Sequence, residues 1–366
     1  MRAEGYLTAF IVAAIYHFYC AMQKPWLVNI AVAALYTALA MMTKGIFVLI
    51  TIGSGFAVYW ILTKQWKQFI HPKWYLYVAL SFVFITPELY CLYQQFDLHP
   101  EKIVFGTTHI SGLKFFFWDS QFGRFFNTGP IQGEGDLLFF VHTTLWAFLP
   151  WAIYIIAALY KNVKQLKAFV ASSSTIIYAS ALCSFLLFSI SKFQLPHYIV
   201  IIFPQLSMLV AVYLLSIVST KTIKALITTQ TIVFVLLGLF ILMSIFIYKL
   251  NNIFIPMSLL AIVSGVFFFM FKEKNIYTIV AKAVCFSVLL SLFLNFIFYP
   301  QLMQYQAGMM AGKWQQKNYA NTIIPMFKCN EYSFEFYGNT QFKRENNLQE
   351  LLAKEKNKIV FTPYRE

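Results

Sequence analysis

The chain has 366 residues, of which 60% are hydrophobic, 19% aromatic and only 11% charged. A soluble domain carries about a quarter charged residues, so a soluble globular fold is excluded and an all-α polytopic membrane protein is expected. The net charge of +14 does not point to nucleic acid, because the lysines stand singly or in twos and threes between apolar runs, the pattern of membrane loops.

In chain order, Tyr6–Met22 follows Met1-Arg2-Ala3-Glu4 directly. Without a basic leader or a small-residue cleavage site it reads as a spanning helix, not a signal peptide. Trp26–Met42 and Ile46–Leu62 follow, separated by the Thr43-Lys44-Gly45 turn, and then Trp74–Tyr93. Residues 94–140 form a long polar interruption. Its aromatic stretches, Leu113–Trp118 and Phe122–Phe126, suit an interfacial position, and Gly129, Gly133 and Gly135 mark a loop. Val141–Tyr160, Phe169–Ile190, His197–Val218, Ala225–Tyr248, Ile253–Phe271 and Tyr277–Tyr299 bring the expected number of transmembrane helices to about ten.

Alternate loops hold eleven lysines: Lys24; Lys64, Lys67 and Lys73; Lys161, Lys164 and Lys167; Lys221 and Lys224; Lys272 and Lys274. The positive-inside rule makes these loops cytoplasmic and puts residues 94–140 outside. Of the eight acids before residue 300, all but Glu273 fall on or near that outer face.

After Tyr299-Pro300 the composition turns polar. Leu302–Lys317 reads as an amphipathic helix, the alternation of Tyr332, Phe334 and Phe336 as a strand, Asn347–Lys356 as a short helix and Ile359–Phe361 as another strand. The expected organisation is a transmembrane helical domain over 1–300, with 94–140 as its outer interfacial loop. A small soluble α/β appendage outside the membrane occupies 301–366 and stops abruptly at Glu366. The five cysteines are scattered, with neither metal-ligand spacing nor a disulfide framework. No P-loop, dinucleotide-binding glycine pattern, zinc signature or serine-hydrolase elbow is present.

The joint Ser191-Lys192-Phe193-Gln194-Leu195-Pro196-His197-Tyr198 packs a cation, a helix-breaking proline and a histidine between two spans. Hydrocarbon does not accept loose backbone or unpaired charge, so the joint lies at an interface or lines a protein cavity. Together with Arg2-Ala3-Glu4, Met42-Thr43-Lys44-Gly45, Phe117-Trp118 through Arg124-Phe125, Leu149-Pro150-Trp151 and Phe203-Pro204, it resembles the GT-C glycosyltransferases of the protein mannosyltransferase and aminoarabinose transferase type. The joint is the most specific of these matches. The resemblance covers residues 1–220 well and the tail loosely.

That resemblance implies transfer of a sugar from a polyprenyl-phosphate donor to a lipid, glycan or protein acceptor, at the outer face of the bacterial inner membrane. Family members begin with two further helices, and the outer loop between them carries the acids usually assigned to catalysis. The resemblance therefore implies that this segment, with the main catalytic acid, is missing here and that the chain alone is inactive. Position 121 is Gln where relatives often carry His, so no metal ligand is assigned there. No cofactor is identified, and a need for a divalent metal is left open.

The chemistry needs cations for the donor phosphate and carboxylates near an oxocarbenium-like centre. Arg124 and Lys192 are the phosphate-binding candidates and Lys44 a third, with Glu4 and Arg2 as the catalytic pair and His197 in a secondary role. Glu4 opens a helix, where the macrodipole and Arg2 favour its ionised form; that suits charge stabilisation better than proton abstraction. Each has a plainer alternative: Lys44 as a snorkelling turn residue, Arg124 as a headgroup contact, His197 as an interfacial hydrogen-bonder. A carrier or flippase for a lipid-linked sugar, and a non-catalytic subunit or remnant, stay open as functions.

Overall fold

The structure is a computed structural model. It describes residues 3–366 apart from positions 24, 165–171, 249–253, 256, 259–260, 263–264, 266–272, 321, 330, 339–343, 346, 348, 350, 352–358 and 363–366. The chain divides into two compact units, Met1–Ile223 and Lys224–Glu366, which are taken separately.

The first unit begins with α1 (Glu4–Ala21), α2 (Trp26–Lys44) and α3 (Val48–Leu62). Alanines let α1 and α2 approach closely: Ala14 and Ala21 on α1, and Ala33, Ala34, Ala38 and Ala40 on α2, are fully buried. This antiparallel pair sets the first residue of α1 beside the last of α2. α4 (Pro72–Asp97) closes over them, its Tyr77 hydroxyl bonded to Thr37 at 2.7 Å in the buried interface. At the far end from Glu4 the contact is aromatic, with Phe18 stacked on Trp74 at 4.3 Å beside Phe56 and Trp60.

The 94–140 loop is tied down at several points. Asp97 accepts from the Ser111 hydroxyl at 2.5 Å and from the Gly112 N–H at 2.9 Å, pinning the start of α5 (residues 112–126). The middle of α5, Phe115–Gly123, is wound as a π-helix, an irregularity common at functional sites. α6 (Phe139–Ala147) and α7 (Ala152–Lys164) follow. The sequence predicts one straight span over Val141–Tyr160, whereas this pair bends by 116°. Pro150 accounts for the break, since it has no N–H to give and its ring crowds the preceding turn.

α8 (Ser174–Ile190) runs antiparallel to α3. Gly55 leaves no room for a side chain against the Ile176 carbonyl, and the Ser180 hydroxyl donates to the Thr51 carbonyl at 2.5 Å. α9 (Pro196–Leu215) starts as a 3-10 turn over Pro196–Ile202. Between α8 and α9, Gln194 donates to the Ser189 carbonyl at 3.0 Å and to the Phe188 carbonyl at 3.3 Å, satisfying groups that a helix end leaves open.

The second unit holds most of α10 (Thr220–Ile247), followed by α11 (Ile276–Tyr305), α12 (Ala307–Asn318) and α13 (Tyr332–Gly338). Phe234 stacks on Phe286 at 4.3 Å, and the buried Gln230 donates to the Ile279 carbonyl at 2.9 Å, joining α10 to α11. The strand expected through Tyr332, Phe334 and Phe336 is helical instead. Positions two apart on a helix lie about 200° from each other, so burying Phe334 leaves Tyr332 and Phe336 exposed, the same alternation a strand would give. The helix wins because Gly312 lets α13 close on α12; a β-carbon there would come within 3.0 Å of the Phe334 carbonyl. α12 also starts later than expected, because α11 continues through Tyr305. The two parallel strands β1 (Met326–Phe327) and β2 (Arg344–Glu345) are short, and Phe361 bridges to Met326. The helix expected over Asn347–Lys356 lies largely outside the described residues.

The chain is a multi-pass membrane protein, but the expected ten spans are not all of full length. Among the described residues α2, α4, α9, α10 and α11 are long and apolar enough to cross a bilayer, and α6 with α7 makes a sixth if the bent pair counts as one. α3 and α8 are apolar but have 15 and 17 residues. At 1.5 Å per residue they fall short of a hydrocarbon core of ~30 Å. Most of the run expected at 253–271 lies outside the described residues.

Candidate functional site

Three structural decisions bring the site together at one end of the first unit. The alanine packing of α1 on α2 sets Glu4 opposite Lys44. The α3–α8 pair sets the Gly45 turn opposite the α8–α9 joint. The 112–126 helix then lies across both.

Lys44 is the last residue of α2, and the chain turns at Gly45 with φ +89°. An L side chain is strained at that angle, and a β-carbon there would run into the Gln121 amide. Gln121 fills the space itself: its Nε2 donates to the Lys44 carbonyl at 3.0 Å and to the Ser120 hydroxyl at 3.1 Å. Gln121 thus holds the turn. Among the described residues, no group of three or more His, Cys, Asp or Glu side chains is placed to share a metal ion.

The Lys44 ammonium donates to Glu4 Oε1 at 3.0 Å and sits 4.0 Å above the centre of the Tyr198 ring. His197 Nε2 stands 3.4 Å from the same Glu4 oxygen. Glu4 is 11% exposed, His197 21% and Lys44 33%, so the carboxylate is the inner member and the ammonium faces outward. Arg124 lies with its guanidinium carbon 5.5 Å from the Phe193 ring centre and its head near the Tyr198 hydroxyl. Its Nε–H is buried without a protein partner.

Lys44, Arg124, Phe193 and Tyr198 line a cavity of about 360 Å³, with Glu4 and His197 behind Lys44. Lys44, Arg124, Ser120 and Gln121 supply its polar wall, and Phe47, Phe116, Phe125, Phe188 and Tyr198 much of the remainder. Two cations at one end of an aromatic-lined space suit an anionic head carried on an apolar chain.

Of the sequence candidates, Glu4, Lys44, Arg124 and His197 converge here. Lys192 does not: its side chain is exposed and outside the cavity lining. What is fixed at Lys192 is the main chain, whose N–H donates to the Phe125 carbonyl at 3.1 Å while Gly133 and Gly135 pack against its backbone. Arg2 lies outside the described residues. Tyr198 is not among the candidates that the sequence offers. Its place between the two cations depends on the 3-10 start of α9, which no local pattern announces.

Two solved structures of ArnT from Cupriavidus metallidurans share this architecture. The one bound to undecaprenyl phosphate matches with a TM-score of 0.67 at 18% identity, over 97% of this chain. The apo form matches with a TM-score of 0.65 at 17% identity, over the same share. The fold is that of these ArnT structures. This chain spans 65% of the length of each ArnT chain. No family model and no curated protein matches its sequence.

Proposed function

We propose that this chain serves as a membrane glycosyltransferase that takes a sugar from a polyprenyl-phosphate carrier and passes it to a lipid, glycan or protein acceptor. In this reading the site lies at the outer face of a bacterial inner membrane. The observation that carries it is the convergence of Lys44 and Arg124 on one aromatic-lined cavity, backed by Glu4 at 3.0 Å from Lys44 and by His197. Undecaprenyl phosphate bound to ArnT, a protein of the same fold, supports the donor class.

Arg124 and Lys44 would hold the phosphate and take up the charge it gains as the anomeric carbon–oxygen bond breaks. The aromatic wall would receive the first prenyl units and exclude water. Glu4, held by both Lys44 and His197, orients the ammonium and is poorly placed to take the acceptor's proton. That last observation favours a second reading, a carrier for the same lipid-linked sugar, which uses the cations and needs no base.

The test uses membranes from cells lacking the gene, supplied with labelled polyprenyl-phosphate sugars. A transfer activity lost with the gene should return with the wild-type chain and not with Arg124→Ala. If no transfer depends on the gene, the transferase reading falls. Retained lipid binding would then select the carrier.

A further inference from the structure

The charge of the cavity is adjusted by a residue that does not line it. Lys44 and Arg124 are the charged residues of the lining, and Glu4 sits behind Lys44 with its carboxylate 3.0 Å from the ammonium. Two cations and one carboxylate leave this cluster at +1 when His197 is neutral. Glu4 is 11% exposed, so water screens its charge weakly and the cavity feels it.

The two lipids that such a site meets differ in charge. The donor is a phosphodiester, with one negative charge. In transfer, the bond between the anomeric carbon and the phosphate oxygen breaks, the acceptor oxygen bonds to that carbon, and the acceptor's proton passes to a base or to water. The carrier is left as a phosphomonoester, which above its second ionisation near pH 6 takes on a second negative charge. We infer that Glu4 sets the cavity's charge to suit the singly charged diester and to weaken its hold on the doubly charged monoester, so that the spent carrier leaves. The inference rests on the phosphate-site reading above and adds a direction to it.

Linear electrostatics fixes the sign. Removing the carboxylate's charge favours each unit of ligand charge equally, so a dianion gains twice what a monoanion gains. At the effective dielectric of a partly buried site, one unit of charge some 6 Å away alters a binding constant by roughly tenfold to a hundredfold. A residue that served only to position Lys44 would act in the opposite direction, its loss weakening both lipids alike.

The experiment measures binding of a polyprenyl phosphate and of its methyl diester to the purified full chain in detergent at pH 8. Glu4→Gln should bind both lipids more tightly, and the monoester-to-diester affinity ratio should rise about tenfold or more. Glu4→Asp should keep the wild-type ratio. The double variant Glu4→Gln/Lys44→Met also removes a cation, one nearer the phosphate, and should bring the ratio back down from its Glu4→Gln value to that of wild type or below, whatever its absolute affinity. A ratio unmoved by Glu4→Gln, with wild-type binding still dependent on Arg124, overturns this inference alone. Binding of neither lipid, or binding indifferent to Arg124→Ala, overturns the phosphate-site reading and this inference with it.

Discussion

Lys44 and Glu4 are 40 positions apart in the chain and 3.0 Å apart in space, the last residue of one helix against the first of another. Neither charge would be tolerated alone so near hydrocarbon, and each makes the other's position affordable. The pair leaves the ammonium facing a cavity in which Arg124 offers a buried N–H with no protein partner. The protein's own groups hold both cations: the carboxylate fixes one, and the Phe193 ring flanks the other.

The turn that delivers Lys44 tolerates no side chain at Gly45. Gly45→Ala would force an alanine to φ +89° and drive its methyl into the Gln121 amide. Backbone strain of this kind costs about 1–3 kcal/mol. Thermal unfolding in detergent should show a lower midpoint than wild type, with weaker polyprenyl phosphate binding because Lys44 moves. An unchanged midpoint would show that the turn relaxes freely.

Lys44 and Lys192 should separate in a binding assay. Lys44→Ala removes a cavity cation and leaves buried Glu4 without its ammonium, so polyprenyl phosphate affinity should fall roughly ten- to a hundredfold. Lys192→Ala removes an exposed side chain whose backbone does the packing, and should change affinity less than about threefold. A loss above about tenfold for Lys192→Ala would return that lysine to the site.

Orientation in the membrane follows from the lysine and acid asymmetry. Single cysteines at Glu101 and at Lys67, both exposed, report opposite faces in a background lacking the native cysteines. A membrane-impermeant thiol reagent applied to intact cells should label position 101 and leave 67 untouched until the cells are opened. Labelling of 67 alone would invert the topology and put the cavity on the cytoplasmic side.

The interruptions in the apolar pattern were the legible part. A lysine and glycine between two spans, and a lysine, proline and histidine between two others, stood out because a bilayer does not accept such residues casually. Which of them share a cavity was less legible. The Glu4–Lys44 pairing depends on how α1 slides along α2, set by alanines that look like any apolar residue in a one-dimensional pattern. Lys192 misled because charge was read as side-chain chemistry, whereas its contribution is an N–H and a backbone that glycines approach. The 332–336 stretch misled because a helix burying a single aromatic residue reproduces the alternation of a strand. The bend within 139–161 was signalled by Pro150, but a proline alone does not separate a kink from a 116° turn.

The central claim is that the cavity between Lys44 and Arg124 receives a lipid phosphate, and equilibrium binding of a polyprenyl phosphate to the purified chain tests it most directly. Losing one charge-assisted phosphate contact costs about 1.5–3 kcal/mol, so Arg124→Ala should weaken binding roughly ten- to a hundredfold without lowering the thermal midpoint. Arg124→Lys should recover only part, since a point charge replaces a planar fork. Wild-type affinity in Arg124→Ala would contradict the account, because the cavity would then hold its lipid, if any, by something other than the cations that define it.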